Sequence, residues 1–166
     1  MEAKRILDFM VFDPNTAGVN INDSDYTKIN KILNFVNSYV HYENDYILLN
    51  EDDTYLAPPE TLTVKSGDCD DFSILVSAAL ADAGINSAII FAQSVDGKKT
   101  HAMVLAQSEE DLPFCSYLDL TQFGLPSGKW FIIEPQYTFE GHIQNPQYCR
   151  GWRIITVALI GKVASF

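Results

Sequence analysis

Apolar residues recur at spacings of three and four in the N-terminal part of the chain, which is the period of a helix with one buried face. The stripe runs from Tyr26 to Val40 in "SDYTKINKILNFVNSYV", and Ser24 stands where an N-cap is preferred. The sequence predicts a first helix here, with His41 closing its C-terminal end. Residues 50–62, "NEDDTYLAPPETL", are polar and broken by prolines, so we expect an irregular connection.

A second helical stripe runs from Phe72 to Ala83, and Gly84 follows it as a residue that commonly ends a helix. Cys69 therefore lies at or next to the helix N-terminus, among aspartates that suit an N-cap and the positive end of the helix dipole. These aspartates are Asp68, Asp70 and Asp71. A free cysteine is often only a small apolar residue, but this one precedes the apolar stripe, which favours a chemical role for the thiol.

The pattern changes from helical to extended after the second helix. Two apolar runs flank Asp96 and Gly97, a dipeptide that favours a type I′ hairpin, and His101 lies on the returning strand. Residues 129–136, "KWFIIEPQ", predict another strand that a proline ends, and residues 151–163 predict one or two more. Two helices followed by about four antiparallel strands predict an α+β fold, with the cysteine-bearing helix packed on the sheet.

Length and composition indicate one compact domain. The chain has 166 residues, 47% of them apolar and 20% charged, which is the profile of a globular protein with a sizeable core. Its formal net charge of −11 argues against nucleic acid and anionic membranes as partners. No signal-peptide pattern is visible, and the most apolar stretch, residues 154–160, is too short for membrane insertion. We therefore expect a cytoplasmic location.

The cysteines do not suggest a disulfide or zinc scaffold. Cys69, Cys115 and Cys149 cannot all pair within the chain, and no C-x-x-C motif occurs. A reducing compartment is the simpler expectation, with no metal and no cofactor. Cys115, Cys149 and His142 fall in loop-like segments without partner spacing, so we assign them no chemistry.

Three residues stand in the order nucleophile, base and orienting acid: Cys69 at a helix start, His101 on a strand and Glu134 on the next strand. Successive strands of a meander tend to be neighbours, so the histidine and the acid can face each other. We expect His101 and the helix N-terminus to lower the pKa of the thiol, against the effect of the aspartates. Gln136, two residues further on the same strand face, is the alternative orienting group.

The segments "PPETLTVKSGDCDDFSILVSAALADAGINSAII", "THAMVLA" and "KWFIIEPQ" resemble the transglutaminase-like superfamily of papain-fold enzymes. Members typically carry a G-D-C-x-D helix start, a His-Ala strand and a W-x-x-x-D-P strand. By position, the resemblance makes Cys69 the nucleophile, His101 the base and Glu134 the acid. It covers the chain from about Pro58 to Gln136, and it implies a papain-like, transglutaminase-like core.

The resemblance also implies a domain organisation and a reaction class. The chain would be a single domain over residues 1–166, with a helical N-terminal part over 1–57 and a catalytic core over 58–166. Members attack an amide or acyl carbonyl, so the shared chemistry is acyl transfer through a thioester. The leading expectation is a thiol-dependent hydrolase with a peptide or protein substrate. A protein-glutamine transglutaminase and a non-catalytic binding module on the same fold are the alternatives.

Three details of the resemblance bear on the site. The acid is Glu134 where members usually have aspartate, and the longer side chain reaches one methylene further. Some bacterial members, the transglutaminase-like cysteine proteinases, bind calcium beside the active cysteine, whereas helix capping accounts for the aspartates around Cys69 without a metal. The backbone N–H of Cys69 is the natural first donor of an oxyanion hole, and Tyr55 is a candidate for the second.

Overall fold

The computed structural model describes residues 12–43, 55–98, 100–113, 117–136 and 152–160. The α-helices in these ranges are α1 Asp25–Tyr39, α2 Pro58–Val64 and α3 Cys69–Asp82. Short 3₁₀ turns occupy Pro14–Ala17 and Thr121–Phe123. None of these helices is long and apolar enough to cross a bilayer.

Both helices predicted from the apolar stripes form, and local chemistry sets their ends. The Ser24 side chain accepts a hydrogen bond from the N–H of Thr27, which caps α1. Helix α3 ends at Asp82, and Gly84 then takes a left-handed φ of 85°. Glycine adopts this conformation without steric cost, so the chain leaves the helix where the sequence predicts.

The strands in the described ranges are β1 His41–Tyr42, β2 Ser66–Gly67, β3 Ser87–Ser94, β4 Thr100–Gln107, β5 Trp130–Ile133 and β6 Trp152–Ile160. The last four form an antiparallel sheet in the order β5-β4-β3-β6. Strands β3, β4 and β5 are the predicted meander, whereas β6 pairs with β3 and lies across the sheet from β5. Helices packed on this antiparallel sheet confirm the predicted α+β class.

The sheet carries an apolar core on each face. On one face, α3 packs against β4 and α1, with Leu75 of α3 and Val104 of β4 fully buried. On the other face, Met103 and Trp130 pack against Leu120. Strand β4 contributes to both cores because its side chains alternate between the faces. It is therefore a well-anchored central element, and it carries His101.

The segment before α3 contains a helix that the sequence did not predict. Residues 58–62 begin α2, although the prolines in this stretch led us to expect an irregular connection. Proline suits the first turn of a helix, where its missing N–H leaves no hydrogen bond unmade. The Glu60 carboxylate accepts the N–H of Ala57 at 2.8 Å, which stabilises the helix start. Residues 50–54 lie outside the described residues.

His41 does not close α1, as the sequence-based interpretation had it. Val40 leaves the helix with an extended conformation, and His41 begins β1. Strand β1 pairs in parallel with β2, placing Tyr42 opposite Gly67. This short pair connects the end of α1 to the residues immediately before α3.

The β3–β4 hairpin forms, but its connection is longer than predicted. The turn hydrogen bond runs from the Gly97 N–H to the Ser94 carbonyl, so the turn centres on residues 95 and 96, where a type I′ turn would centre on Asp96 and Gly97. The Asp96 carboxylate accepts the Ser94 hydroxyl at 2.6 Å and the Lys98 N–H at 3.1 Å. These side-chain contacts build a wider turn from the same residues.

Candidate active site

Cys69 is the first residue of α3, as the sequence predicts. Asp68 is the N-cap, and its side chain accepts the N–H of Asp70 at 3.0 Å. The Asp71 carboxylate in turn accepts the N–H of Asp68 at 3.1 Å, which completes a reciprocal capping box. Two of the three aspartates around the thiol therefore act as helix caps.

Asp71 also ties α3 to the segment before α2. It is fully buried, and its Oδ1 accepts the backbone N–H of Leu56 at 2.7 Å. A Cβ at position 67 would lie 2.6 Å from the Cβ of Asp71, so Gly67 is required for this approach. Sequence reasoning missed the close approach of Gly67 to Asp71, although the G-D-C-x-D pattern contains both residues.

The His101 and Glu134 side chains are in direct contact. His101 Nε2 lies 2.7 Å from Glu134 Oε2. Glu134 is completely buried, whereas 18% of the His101 side chain remains exposed. A carboxylate can only accept a hydrogen bond, so Nε2 carries the proton and Nδ1 is the basic ring nitrogen. This is the contact expected from neighbouring strands, although Glu134 is the first residue beyond β5 and not part of it.

Gln136 supports Glu134 and does not take its place. The backbone N–H of Gln136 donates to Glu134 Oε1 at 3.4 Å. Its side-chain nitrogen has no hydrogen-bond partner among the described residues. The contacts therefore favour Glu134 as the partner of the imidazole, with each of its carboxylate oxygens accepting a hydrogen bond.

The thiol of Cys69 lies against the start of β4. The pairing between β4 and β5 ends at Val104 and Ile133, which leaves Ala102 beyond the ladder on that side. The backbone N–H of Ala102 donates to the sulfur of Cys69 and favours its ionised form. Because Ala102 directly follows His101, this contact brings the thiol next to the strand position of the imidazole.

The electrostatics of the thiol oppose the sequence-based expectation. Burial, above all, raises the pKa of Cys69 to about 12, the charges of Asp70 and Asp68 act in the same direction, and the Ala102 N–H opposes them. Asp70 Oδ1 lies 3.5 Å from the sulfur and accepts the thiol hydrogen. The expected lowering of the pKa is therefore wrong, and the resting group is the thiol. A positive charge on His101 is the change that would favour the thiolate.

The sequence profile of the transglutaminase-like domain matches residues 17–135. The chain belongs to the transglutaminase-like domain family. The match includes the three α-helices of the described ranges and the positions of Cys69, His101 and Glu134, and it confirms the family resemblance. No curated protein matches the sequence.

Solved structures with a similar fold include LapG of Legionella pneumophila. One LapG structure superposes with a TM-score of 0.59 over 86% of this chain and 67% of LapG, at 19% identity. Calcium-bound LapG gives a TM-score of 0.59 over 92% of this chain and 79% of LapG, at 17% identity. A candidate cysteine protease from Cytophaga hutchinsonii gives 0.51 over 80% of this chain and 36% of that protein, at 16% identity. These similarities establish the fold, a transglutaminase-like and papain-like core.

The calcium-bound state of LapG raises the question of whether this transglutaminase-like domain can hold the same ion. Ligand atoms of Asp68, Cys69 and Asp70 lie within 4.8 Å of one another. Calcium takes about six to eight oxygen ligands, and a thiol is not one of them. The carboxylates of Asp68 and Asp71 already accept backbone N–H groups as caps. Asp68 and Asp70 offer fewer oxygen ligands than calcium takes, so among the described residues this cluster does not make up a calcium site by itself. Capping accounts for the contacts of Asp68 and Asp71.

The remaining sequence candidates add nothing to the described site. Tyr55 is 58% exposed, and its role as a second oxyanion donor stays a prediction. Cys115, His142 and Cys149 lie outside the described residues. The Ala102 N–H is a contact of the thiol that sequence reasoning missed, because no side chain signals it.

Proposed function

We propose that this transglutaminase-like domain is a thiol-dependent acyl hydrolase, which cleaves peptide or protein amides through a thioester on Cys69. The observation that carries the proposal is the hydrogen-bonded pair of His101 and Glu134, together with the contact of the next residue, Ala102, to the thiol at the N-terminus of α3. A carboxylate that is completely buried is costly unless its charge is compensated. Glu134 accepts hydrogen bonds from the imidazole of His101 and from the backbone N–H of Gln136, and a carboxylate paired with an imidazole is the arrangement that a general base requires.

In the first half of the reaction, the thiol proton moves to His101 Nδ1 while the sulfur attacks the carbonyl carbon of the substrate. The raised pKa of Cys69 means that the thiolate forms during the attack and is not stored at rest. Glu134 accepts the Nε2–H and stabilises the imidazolium that forms. The backbone N–H of Cys69, at the helix start where intrahelical partners are missing, donates to the oxyanion.

In the second half, the imidazolium gives its proton to the leaving nitrogen, the C–N bond breaks, and the acyl group remains on Cys69 as a thioester. Water then attacks the thioester while His101 takes its proton, and the departing sulfur receives that proton back. An amine in place of water would turn the same intermediate into a transamidation. The two reactions of the family thus share every step up to the thioester.

The test is whether Cys69 forms an acyl-enzyme. The purified protein is incubated with p-nitrophenyl acetate at neutral pH, and the acetylated residue is located by peptide mass spectrometry. We expect acetylation of Cys69 in the unmodified protein and none at that position in Cys69→Ser. The matched control is His41→Ala, because His41 is an exposed histidine on β1. It should acetylate as fast as the unmodified protein. Equal acetylation of Cys69, Cys115 and Cys149 would refute the proposal.

The same intermediate separates hydrolysis from the alternatives. Acetylated protein is chased in buffer with and without glycinamide, and the loss of the acetyl group is followed by intact-protein mass. A hydrolase loses the group at a rate independent of the amine. A transglutaminase loses it faster as the amine concentration rises and releases acetylglycinamide. An acetyl group that persists under both conditions would favour a non-catalytic binding module.

A further inference from the structure

One side chain of α1 reaches the residue that follows the candidate acid. The amide nitrogen of Asn37 donates to the carbonyl oxygen of Leu33 at 2.9 Å, one turn earlier in the helix. The same nitrogen donates to the carbonyl oxygen of Pro135 at 2.8 Å, across 98 residues of sequence. Both partners are carbonyl oxygens, which can only accept, so the NH₂ group must face them. Asn37 thus connects α1 to the backbone beside Glu134.

The backbone at Glu134 needs such a support because the sheet does not provide it. The last paired residue of β5 is Ile133, opposite Val104 of β4, so Glu134 lies beyond the ladder. Pro135 has no N–H, and its carbonyl is the one backbone group through which it can form a hydrogen bond. The side-chain amide of Asn37 donates a hydrogen bond to that carbonyl.

We propose that Asn37 is a positioning residue, which acts through Pro135 to hold the Glu134 carboxylate against His101. The inference rests on the proposed function, in which that carboxylate stabilises the imidazolium. The 2.7 Å contact between His101 and Glu134 depends on where the chain places the Glu134 Cα. A small displacement of a catalytic group costs rate out of proportion to its effect on stability.

Helix α1 offers a matched control in Asn30. Its amide nitrogen donates to the carbonyl oxygen of Tyr26 at 3.0 Å, which is the same one-turn contact that Asn37 makes to Leu33. Both asparagines are partly buried on the same helix. The difference is the second contact, from Asn37 to Pro135. Substituting each by alanine therefore separates the loss of a helical contact from the loss of the contact to Pro135.

The experiment is a double-mutant cycle on the acylation rate. Asn37→Ala and Asn30→Ala are made in the unmodified protein and in Glu134→Gln, and the reaction of Cys69 with p-nitrophenyl acetate is timed. We expect Asn37→Ala to slow acylation roughly tenfold and Asn30→Ala to leave it unchanged. In the Glu134→Gln background the effect of Asn37→Ala should disappear, since the two residues act as a unit. Asn37→Asp, which turns a carboxylate toward two carbonyl oxygens, should be at least as slow as Asn37→Ala.

A second readout does not depend on activity. The proton on His101 Nε2, hydrogen-bonded to a carboxylate, is followed by NMR in each variant that melts cooperatively. Asn37→Ala should shift this resonance toward that of the Glu134→Gln protein, and Asn30→Ala should not move it. A resonance and a rate that respond equally to both asparagine variants, or an equal rate loss with and without Glu134, would overturn the inference. If Cys69 is unreactive while the resonance still responds to Asn37 alone, the proposed function fails and the positioning role stands.

Discussion

The two ends of the candidate site are built in opposite ways. At the thiol end, three aspartates lie within two residues of Cys69, and helix capping sets the contacts of Asp68 and Asp71. At the imidazole end, His101 and Glu134 come from positions 33 residues apart. A hydrogen bond from Asn37 of α1, across 98 residues of sequence, reaches the residue that follows Glu134. The end at Cys69 is built from residues adjacent in sequence, and we call it the local end. The end at His101 and Glu134 is built from residues that the fold brings together, and we call it the assembled end.

The difference shows which end can activate the thiol. The local end works against ionisation, because burial and the neighbouring carboxylates raise the pKa of Cys69. A helix N-terminus favours a thiolate, but here its donors are also used by the caps Asp68 and Asp71. In the proposed reaction, activation of the thiol therefore comes from the assembled end, where an imidazole with a buried carboxylate can accept the proton.

Loss of His101 should have the largest effect. In His101→Ala the thiol keeps its burial and its aspartates but has no base, so acylation by p-nitrophenyl acetate should fall by about a hundredfold or more. The second-order rate constant is measured from p-nitrophenol release, with a melting curve to verify the fold. A rate equal to that of the unmodified protein would mean that the thiol end is sufficient by itself.

The next largest effect is expected at Glu134. Glu134→Gln keeps the shape but loses the charge that stabilises imidazolium, so acylation at neutral pH should fall by roughly tenfold to a hundredfold. Glu134→Asp should recover only part of this rate. The aspartate side chain is one methylene shorter, so its carboxylate would lie further from His101 Nε2 than the 2.7 Å seen for Glu134 if the hydrogen bond from Asn37 to Pro135 keeps the backbone in place. Rates are compared over a range of pH. Full activity of Glu134→Gln would show that the Glu134 carboxylate has no role in the reaction.

Neutralising Asp70 should change the rate in the opposite direction. Asp70 raises the pKa of Cys69 by its charge and by accepting the thiol hydrogen, so Asp70→Asn should lower that pKa. Each unit of lowering increases the thiolate fraction, and hence alkylation by iodoacetamide, about tenfold. Glu109→Gln, at an exposed position after β4, is the charge-matched control. If Asp70→Asn alkylates more slowly, the carboxylate is not what disfavours ionisation.

The smallest effect concerns stability at alkaline pH. The pKa of Cys69 is raised from 9.0 to about 12 in the folded protein, so the folded state binds the thiol proton more tightly than the unfolded state. This contribution to the free energy of unfolding is complete below about pH 9 and is lost as pH rises toward 12. Urea midpoints of the unmodified protein should therefore fall relative to Cys69→Ser from pH 9 to pH 11. Parallel curves would show that the thiol ionises normally.

Much of the architecture follows from local patterns. The stripe from Tyr26 to Val40 and the cap at Ser24 predicted α1, and Gly84 marked the exit from α3. These predictions succeeded because the hydrophobic period and the capping chemistry act within a few residues. Pro58 misled the same reasoning, since a proline that breaks a helix in its interior favours one at its first turn.

Other features depend on neighbours that sequence order does not reveal. His41 belongs to a parallel strand pair because the fold places Ser66 opposite it. Strand β6 pairs with β3 at the edge of the sheet away from β5. The connection from Leu56 to Asp71 and that from Asn37 to Pro135 have no periodic signal. Asn37 and Asn30 cannot be distinguished by their sequence pattern on the helix. Only the fold shows that Asn37 contacts Pro135.

The sequence by itself determined the identity and order of the candidate site residues. Local patterns are enough to recognise a cysteine at a helix start and a histidine and an acid on the strands that follow. The tertiary structure decided the protonation of the thiol. Burial is a property of the packed molecule, and it outweighs the helix N-terminus that the sequence places beside Cys69. The fold also decided that Glu134, and not Gln136, meets His101, because the end of β5 sets which side chain reaches the imidazole.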